Sequence, residues 1–205
     1  MSNRNNLSRL SGEEAIHTDG GTVSPSDHAT VCGFWSWATS DLIDNTTRGS
    51  LAEFYVALAL DPNDPFRFKT KPWSSWDIET ENGTKIEVKT SALRQSWHSG
   101  SHAPSTPQWD IAPISVYDWE TNTYSKSKFR PADLFVFSLH AHKDPGTLDA
   151  IDLSQWMFYV LPTHVLDTER PTGKSIRLNP LKKLGAEETD FAGLKAAILS
   201  AVNQI

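Results

Sequence analysis

Trp76-Asp77-Ile78-Glu79-Thr80 and Thr84-Lys85-Ile86-Glu87-Val88-Lys89-Thr90 flank Glu81-Asn82-Gly83. An Asn-Gly pair between stretches of period two is the strongest short-range signal for a β-hairpin. A three-residue loop with Gly83 in the left-handed conformation sets Thr80 opposite Thr84 and Asp77 opposite Glu87. Strand side chains alternate faces, so Asp77, Glu87 and Lys89 share one face while Trp76, Ile78, Ile86 and Val88 share the other. A two-residue turn would set Asp77 against Val88 and Ile78 against Glu87, mixing charge with apolar contact on both faces. The pattern therefore predicts the three-residue loop.

Two carboxylates held face to face repel unless a cation lies between them. Magnesium suits such a pair, since it takes oxygen ligands, keeps several waters and often uses only one or two protein carboxylates plus phosphate oxygens. Lys89 sets an ammonium beside the pair, positioned to stabilise charge on a phosphate or to orient a water. An edge hairpin with a solvated, charged outer face has the same spacing.

A third acid stands out upstream. From Gly49 to Leu60 the only charged residue is Glu53. Leu51, Phe54, Tyr55 and Leu58 follow helical spacing and Thr47 is a candidate cap, which predicts a helix packed on the sheet with Glu53 off its apolar stripe. An acid in so apolar a helix requires a counter-charge, a metal or a hydrogen-bond network. Exposure to solvent or pairing with Arg48 is the plainer alternative.

On Glu53, Asp77 and Glu87-Val88-Lys89 the chain resembles the PD-(D/E)xK nuclease superfamily, with Trp76 where Pro is usual. The resemblance implies an α/β (α+β) restriction-endonuclease-like αβββαβ core, a central mixed sheet flanked by helices. It also implies magnesium-dependent (or manganese-dependent) cleavage of DNA, as in endonucleases of restriction, defence or repair, and a homodimer. It makes Glu53, Asp77, Glu87 and Lys89 catalytic, the three acids metal-binding, and Gln95 a counterpart of a Gln on the helix after the Lys. Arg130 to Phe137 and Trp156 to Pro162 look like the later strands of such nucleases. A catalytically inactive module of the same fold, binding nucleic acid or protein, is the rival reading; the intact Asp77, Glu87 and Lys89 count against it.

A chain of 205 residues, 38% of them hydrophobic, suits one packed core. Residues 1–30 lack periodicity and a signal-peptide design and read as a flexible tail, leaving 31–205 as a single nuclease-like domain. No apolar run is long enough for a membrane and no Gly-rich phosphate loop points to a nucleotide cofactor. The single cysteine, Cys32, suits a cytoplasmic setting, and its neighbours Phe34, Trp35 and Trp37 suggest a buried thiol. Net charge of −6 argues against a broad DNA-coating surface. A local patch at Lys126, Lys128 and Arg130 is a candidate substrate contact, or else an ordinary solvated turn. The irregular segment 92–130 offers Trp97 for base contact, with Trp109 also expected in the exposed loop. His98 and His102 sit among Gly, Ser and Pro that oppose the helix a zinc pair needs, and His140 and His142 read as polar strand-end residues. Residues 134–139 and 156–161 read as buried strands. Phe191, Leu194, Ile198 and Val202 predict a closing helix capped by Thr189, with a packing or dimer role.

Overall fold

A computed structural model describes residues 12–13, 15–18, 21–22, 29–70, 73–98 and 102–205 of the chain. It divides at Leu42/Ile43 into two units. In the first, β1 (His17–Thr18) pairs antiparallel with β2 (Gly21–Thr22), and α1 (Val31–Thr39) starts at Thr30, whose hydroxyl accepts from the Gly33 amide. No residue of α1 is buried. Cys32 is exposed rather than buried, because Phe34, Trp35 and Trp37, the rings expected to cover it, are themselves exposed. The flexible tail expected over 1–30 falls largely on residues outside those described.

The second unit begins with α2 (Asn45–Leu60). Its cap is Asp44, whose carboxylate accepts from the Thr46 and Thr47 amides, so Thr47 lies within the first turn instead of preceding it. The buried face consists of Arg48, Ala52, Tyr55, Val56, Ala57 and Leu60, with Phe54 exposed. Leu51 and Tyr55 pack on the core as expected, while the small Ala52 and Ala57 side chains face it in place of Phe54 and Leu58. They let the helix approach the sheet closely.

A 3-10 turn at Pro65–Phe68 leads to β3 (Ile78–Glu79), β4 (Lys85–Ala92), β5 (Gln108–Asp110), β6 (Tyr117–Asp118), β7 (Thr123–Tyr124), β8 (Leu134–His140) and β9 (Trp156–Pro162). Then follow α3 (Thr163–Glu169), β10 (Ser175–Arg177), α4 (Leu178–Lys183), β11 (Glu187–Thr189) and α5 (Phe191–Val202). Asp190, accepting from the Gly193 amide, caps α5 in place of the expected Thr189. Five strands form one mixed sheet in the order β11-β9-β8-β4-β3, with β4 parallel to β8 and the other neighbours antiparallel. This is the expected mixed sheet flanked by helices. Among the described residues of 93–133, however, the β4-to-β8 crossover carries no helix. Ser91 and Ala92 complete β4 and Gln95 lies in the turn that follows.

Helices α2 and α5 cover one sheet face, packing on Ile86, Val88, Leu134, Val136, Trp156, Phe158 and Val160. The other face carries Phe135, Phe137, Leu139, Tyr159 and Leu161 under Trp109 and Ile111, Ile176, Leu166 and Leu181. Covered on both sides, β8 is buried at every position, which explains its near-continuous apolar run. Trp109, expected in an exposed loop, is buried against Phe137 and Tyr159, and its indole donates to the Ser138 carbonyl (3.0 Å). His140 is not a solvated strand end either. It stacks on Trp156 at 4.8 Å and faces Gln155, and burial depresses its pKa. No helix among the described residues is long and apolar enough to cross a membrane.

Candidate active site

The second apolar cluster ends at β8. Glu87 stands beside Phe135 and Lys89 beside Phe137 in the parallel ladder, so the polar stripe of β4 emerges at the margin of that core. The hairpin has the expected register, with Ile78 opposite Ile86 and Thr80 donating to Thr84 (3.0 Å). Gly83 takes a φ of +82°, which glycine adopts without a Cβ clash.

Asp77 lies one residue outside β3. Its amide donates to the carbonyl of Ile86, the register partner of Ile78, so the ladder is offset there as in a bulge. The offset turns the Asp77 side chain across the hairpin, where Oδ2 accepts from the Val88 amide (2.8 Å). It also moves Trp76 off the apolar face where Ile78 lies. The Trp76 indole donates to Glu79 (3.1 Å), and the Lys85 ammonium lies 4.4 Å over its ring.

Glu87 pairs with Lys89 on the same strand, and Glu53 reaches in from α2 to meet Lys69 Nζ at 3.3 Å. Glu53 therefore pairs with Lys69 and not with Arg48. The three acids feel one another. Burial and then the Asp77 charge push Glu87 up to about 6, against the pull of Lys89. The same two causes raise Glu53, and burial raises Asp77 against the Val88 hydrogen bond and Lys89. For Lys89, burial favours loss of the proton, but Glu87 with Asp77 and Asp110 outweighs it and raises the pKa. The ammonium thus stays charged at neutral pH.

Burial leads the shift of each of the three acids, with carboxylate repulsion second at Glu53 and Glu87, and a cation beside the ionised acids would offset both. Among the described residues no three His, Cys, Asp or Glu side chains come together to hold a metal ion, so Glu53, Asp77 and Glu87 do not converge as the expected three-acid set. Two carboxylates suffice for a magnesium that keeps its waters. The contacts above engage Oδ2 of Asp77 and Oε1 of Glu87, leaving the other oxygen of each for a ligand. The donor set fits a hard divalent ion.

The remaining candidates scatter. Gln95 accepts from the buried Arg48 (2.8 Å) and donates to the Ala92 carbonyl, so it braces the start of α2 against the end of β4. Arg130 is buried, donating to the Ile111, Arg170 and Gly173 carbonyls and to Asp167 at 2.6 Å, so it braces these segments from within, and it lines one small cleft together with Glu87 and Lys89. Lys126 and Lys128 are exposed and Trp97 is exposed, edge-on to His98. His98 and His102 stack face to face at 5.5 Å, an arrangement that does not converge their nitrogens on a metal. Two polar residues near the site were not anticipated. Lys69 is brought in by a bridge with Ile78, and Asp110 of β5 lines a cleft of about 120 Å³ with Glu87 and Lys89. Neither pairing has a local sequence signal, because each joins segments distant along the chain.

No curated protein and no solved structure matches this chain. The family model described as bacteriophage T4 endonuclease IV matches residues 36–179, a span that includes Glu53, Asp77, Glu87 and Lys89. That match covers more than half of the sequence, and the chain belongs to the bacteriophage T4 endonuclease IV family.

Proposed function

We propose that this member of an endonuclease family is a magnesium-dependent endonuclease of PD-(D/E)xK type, hydrolysing phosphodiester bonds in DNA in a restriction, defence or repair setting. The observation that carries the reading is the half-buried cluster of Glu53, Asp77 and Glu87 beside a charged Lys89. Asp77 and Glu87, with Glu53 adjoining, would hold magnesium, or manganese in its place. When bound, the ion would supply neutralisation of phosphate charge and acidification of a water. The protein's own groups do the rest. Val88 fixes the Asp77 carboxylate by its amide, and Glu87 holds the Lys89 ammonium over the site. Lys89 would bind a phosphate oxygen and stabilise the charge that develops there, or orient the attacking water and help deprotonate it.

Supercoiled plasmid and a mixed oligonucleotide pool, incubated with wild type and Asp77→Ala in magnesium, manganese or chelator, test this. Wild type should cut only with metal, and the variant should be slower by at least about a hundredfold. Cutting that persists in chelator, or in the variant, overturns the metal site. No cutting of any DNA, with no metal-induced rise in melting temperature, overturns the nuclease reading in favour of a binding module.

A further inference from the structure

The outer strand of the catalytic hairpin borders a cleft of about 660 Å³ lined in part by Arg67, Lys69, Trp73, Trp76, Tyr117 and Trp119. It continues into a second hollow of about 360 Å³ that shares Trp73, Tyr117 and Trp119 and reaches Tyr124. The aromatic wall is organised. Trp119 stands edge-on to Tyr117 at 4.9 Å and Tyr117 edge-on to Tyr124 at 5.1 Å, while the Tyr117 hydroxyl donates to Asn122. Yet the rings are not used as core, since Trp119 is 63% and Trp73 84% exposed. Folding normally hides such surface, and open ring faces grouped in one concave site mark a binding function.

The cleft's position selects the occupant. One side of it is formed by the outer part of the hairpin, at Trp76, Glu79, Thr80 and Glu81. At the junction stands Lys69, which touches Glu53 of the cluster and lines the cleft as well. A strand whose phosphate lies at Asp77, Glu87 and Lys89 would therefore meet a cation and then a row of aromatic faces. That sequence of groups matches a nucleotide, in which a base with two π-faces follows an anionic phosphate. A peptide helix or a second copy of the chain would have no use for a cation shared with the acids.

We propose that this cleft is a nucleobase subsite. The base of a nucleotide flanking the scissile phosphate stacks on Trp119 with Trp73 opposite or alongside, and Lys69 binds a phosphate on the way from the catalytic acids. The proposal rests on the nuclease reading above and adds where the neighbouring base goes.

The test uses the full chain with magnesium and a labelled oligonucleotide that the wild type cuts at one mapped position. Trp119→Ala should raise KM by roughly tenfold to a hundredfold with kcat little changed, and Trp119→Phe should largely restore it. Trp73→Ala serves as a second variant should Trp119→Ala fold poorly, which its melting temperature reports. Abasic nucleotides placed one at a time beside the cut should show one position at which wild type loses the same factor and Trp119→Ala loses nothing further. Wild-type cleavage with no such coupling in either variant overturns the subsite and leaves the nuclease standing. Absence of wild-type cleavage on any substrate overturns both. A shift in sedimentation from dimer to monomer in Trp119→Ala, without a change in KM, would assign the cleft to self-association and overturn the proposal as well.

Discussion

Replacing Glu87 by Gln should make the metal-free protein more stable at alkaline pH. Glu87 is pushed from an ordinary 4.5 to about 6, first by burial and then by the Asp77 charge. A folded-state value above the unfolded one means that folding favours the protonated form. The stability this confers is fully present below about pH 4.5 and is lost as pH rises through about 6. At pH 8 the wild type therefore carries a penalty of about 2 kcal/mol for holding Glu87 ionised. The glutamine amide resembles the protonated acid and removes that penalty. Asp77 and Glu53, raised in the same direction, relax further once their neighbour is neutral. For a chain of this size the gain corresponds to roughly 4–8 °C in melting temperature. Thermal unfolding of both proteins in chelator at pH 8 and pH 4.5 measures it, with the difference expected at pH 8 and absent at pH 4.5. Added magnesium should raise the wild type more than the variant, because the ion binds only the folded site. A variant less stable than wild type at pH 8, or a difference independent of pH, would refute the account of Glu87 as one of a set of mutually repelling, half-buried acids.

Arg130→Met should destabilise the protein by about 3–5 kcal/mol, because three carbonyls and Asp167 lose their common donor. Chemical denaturation measures this, and a stable variant whose only defect is a shallower salt dependence of DNA binding would return Arg130 to the substrate surface. Gly83→Ala should cost about 1 kcal/mol through its positive φ alone, since an added Cβ would meet no atom within 4 Å. A denaturation midpoint equal to that of wild type would show that the loop does not hold Gly83 left-handed.

The hairpin was legible because its information is local. Period-two alternation admits one register that separates charge from apolar contact, and Asn82-Gly83 supplies the turn, so Ile78 meets Ile86 as the pattern requires. Residues 134–140 and 156–162 were legible for the same reason, as apolar runs that only burial on both faces explains. Helix boundaries were less so. Asp44 and Asp190 displaced the expected Thr47 and Thr189 because a carboxylate one or three residues away competes for the same amides. Contacts between segments far apart in sequence carried no signal at all. The parallel pairing of β4 with β8, the burial of Trp109 beneath Phe137, the bracing of residues 111, 170 and 173 by Arg130, and the approach of Lys69 to Glu53 each join such segments. By itself, then, the sequence determined the acidic hairpin and the apolar strands, through periodicities read within a few residues. Only the tertiary structure decided which charges surround the hairpin and which aromatic rings stay open to solvent, because those depend on what the packed elements leave uncovered.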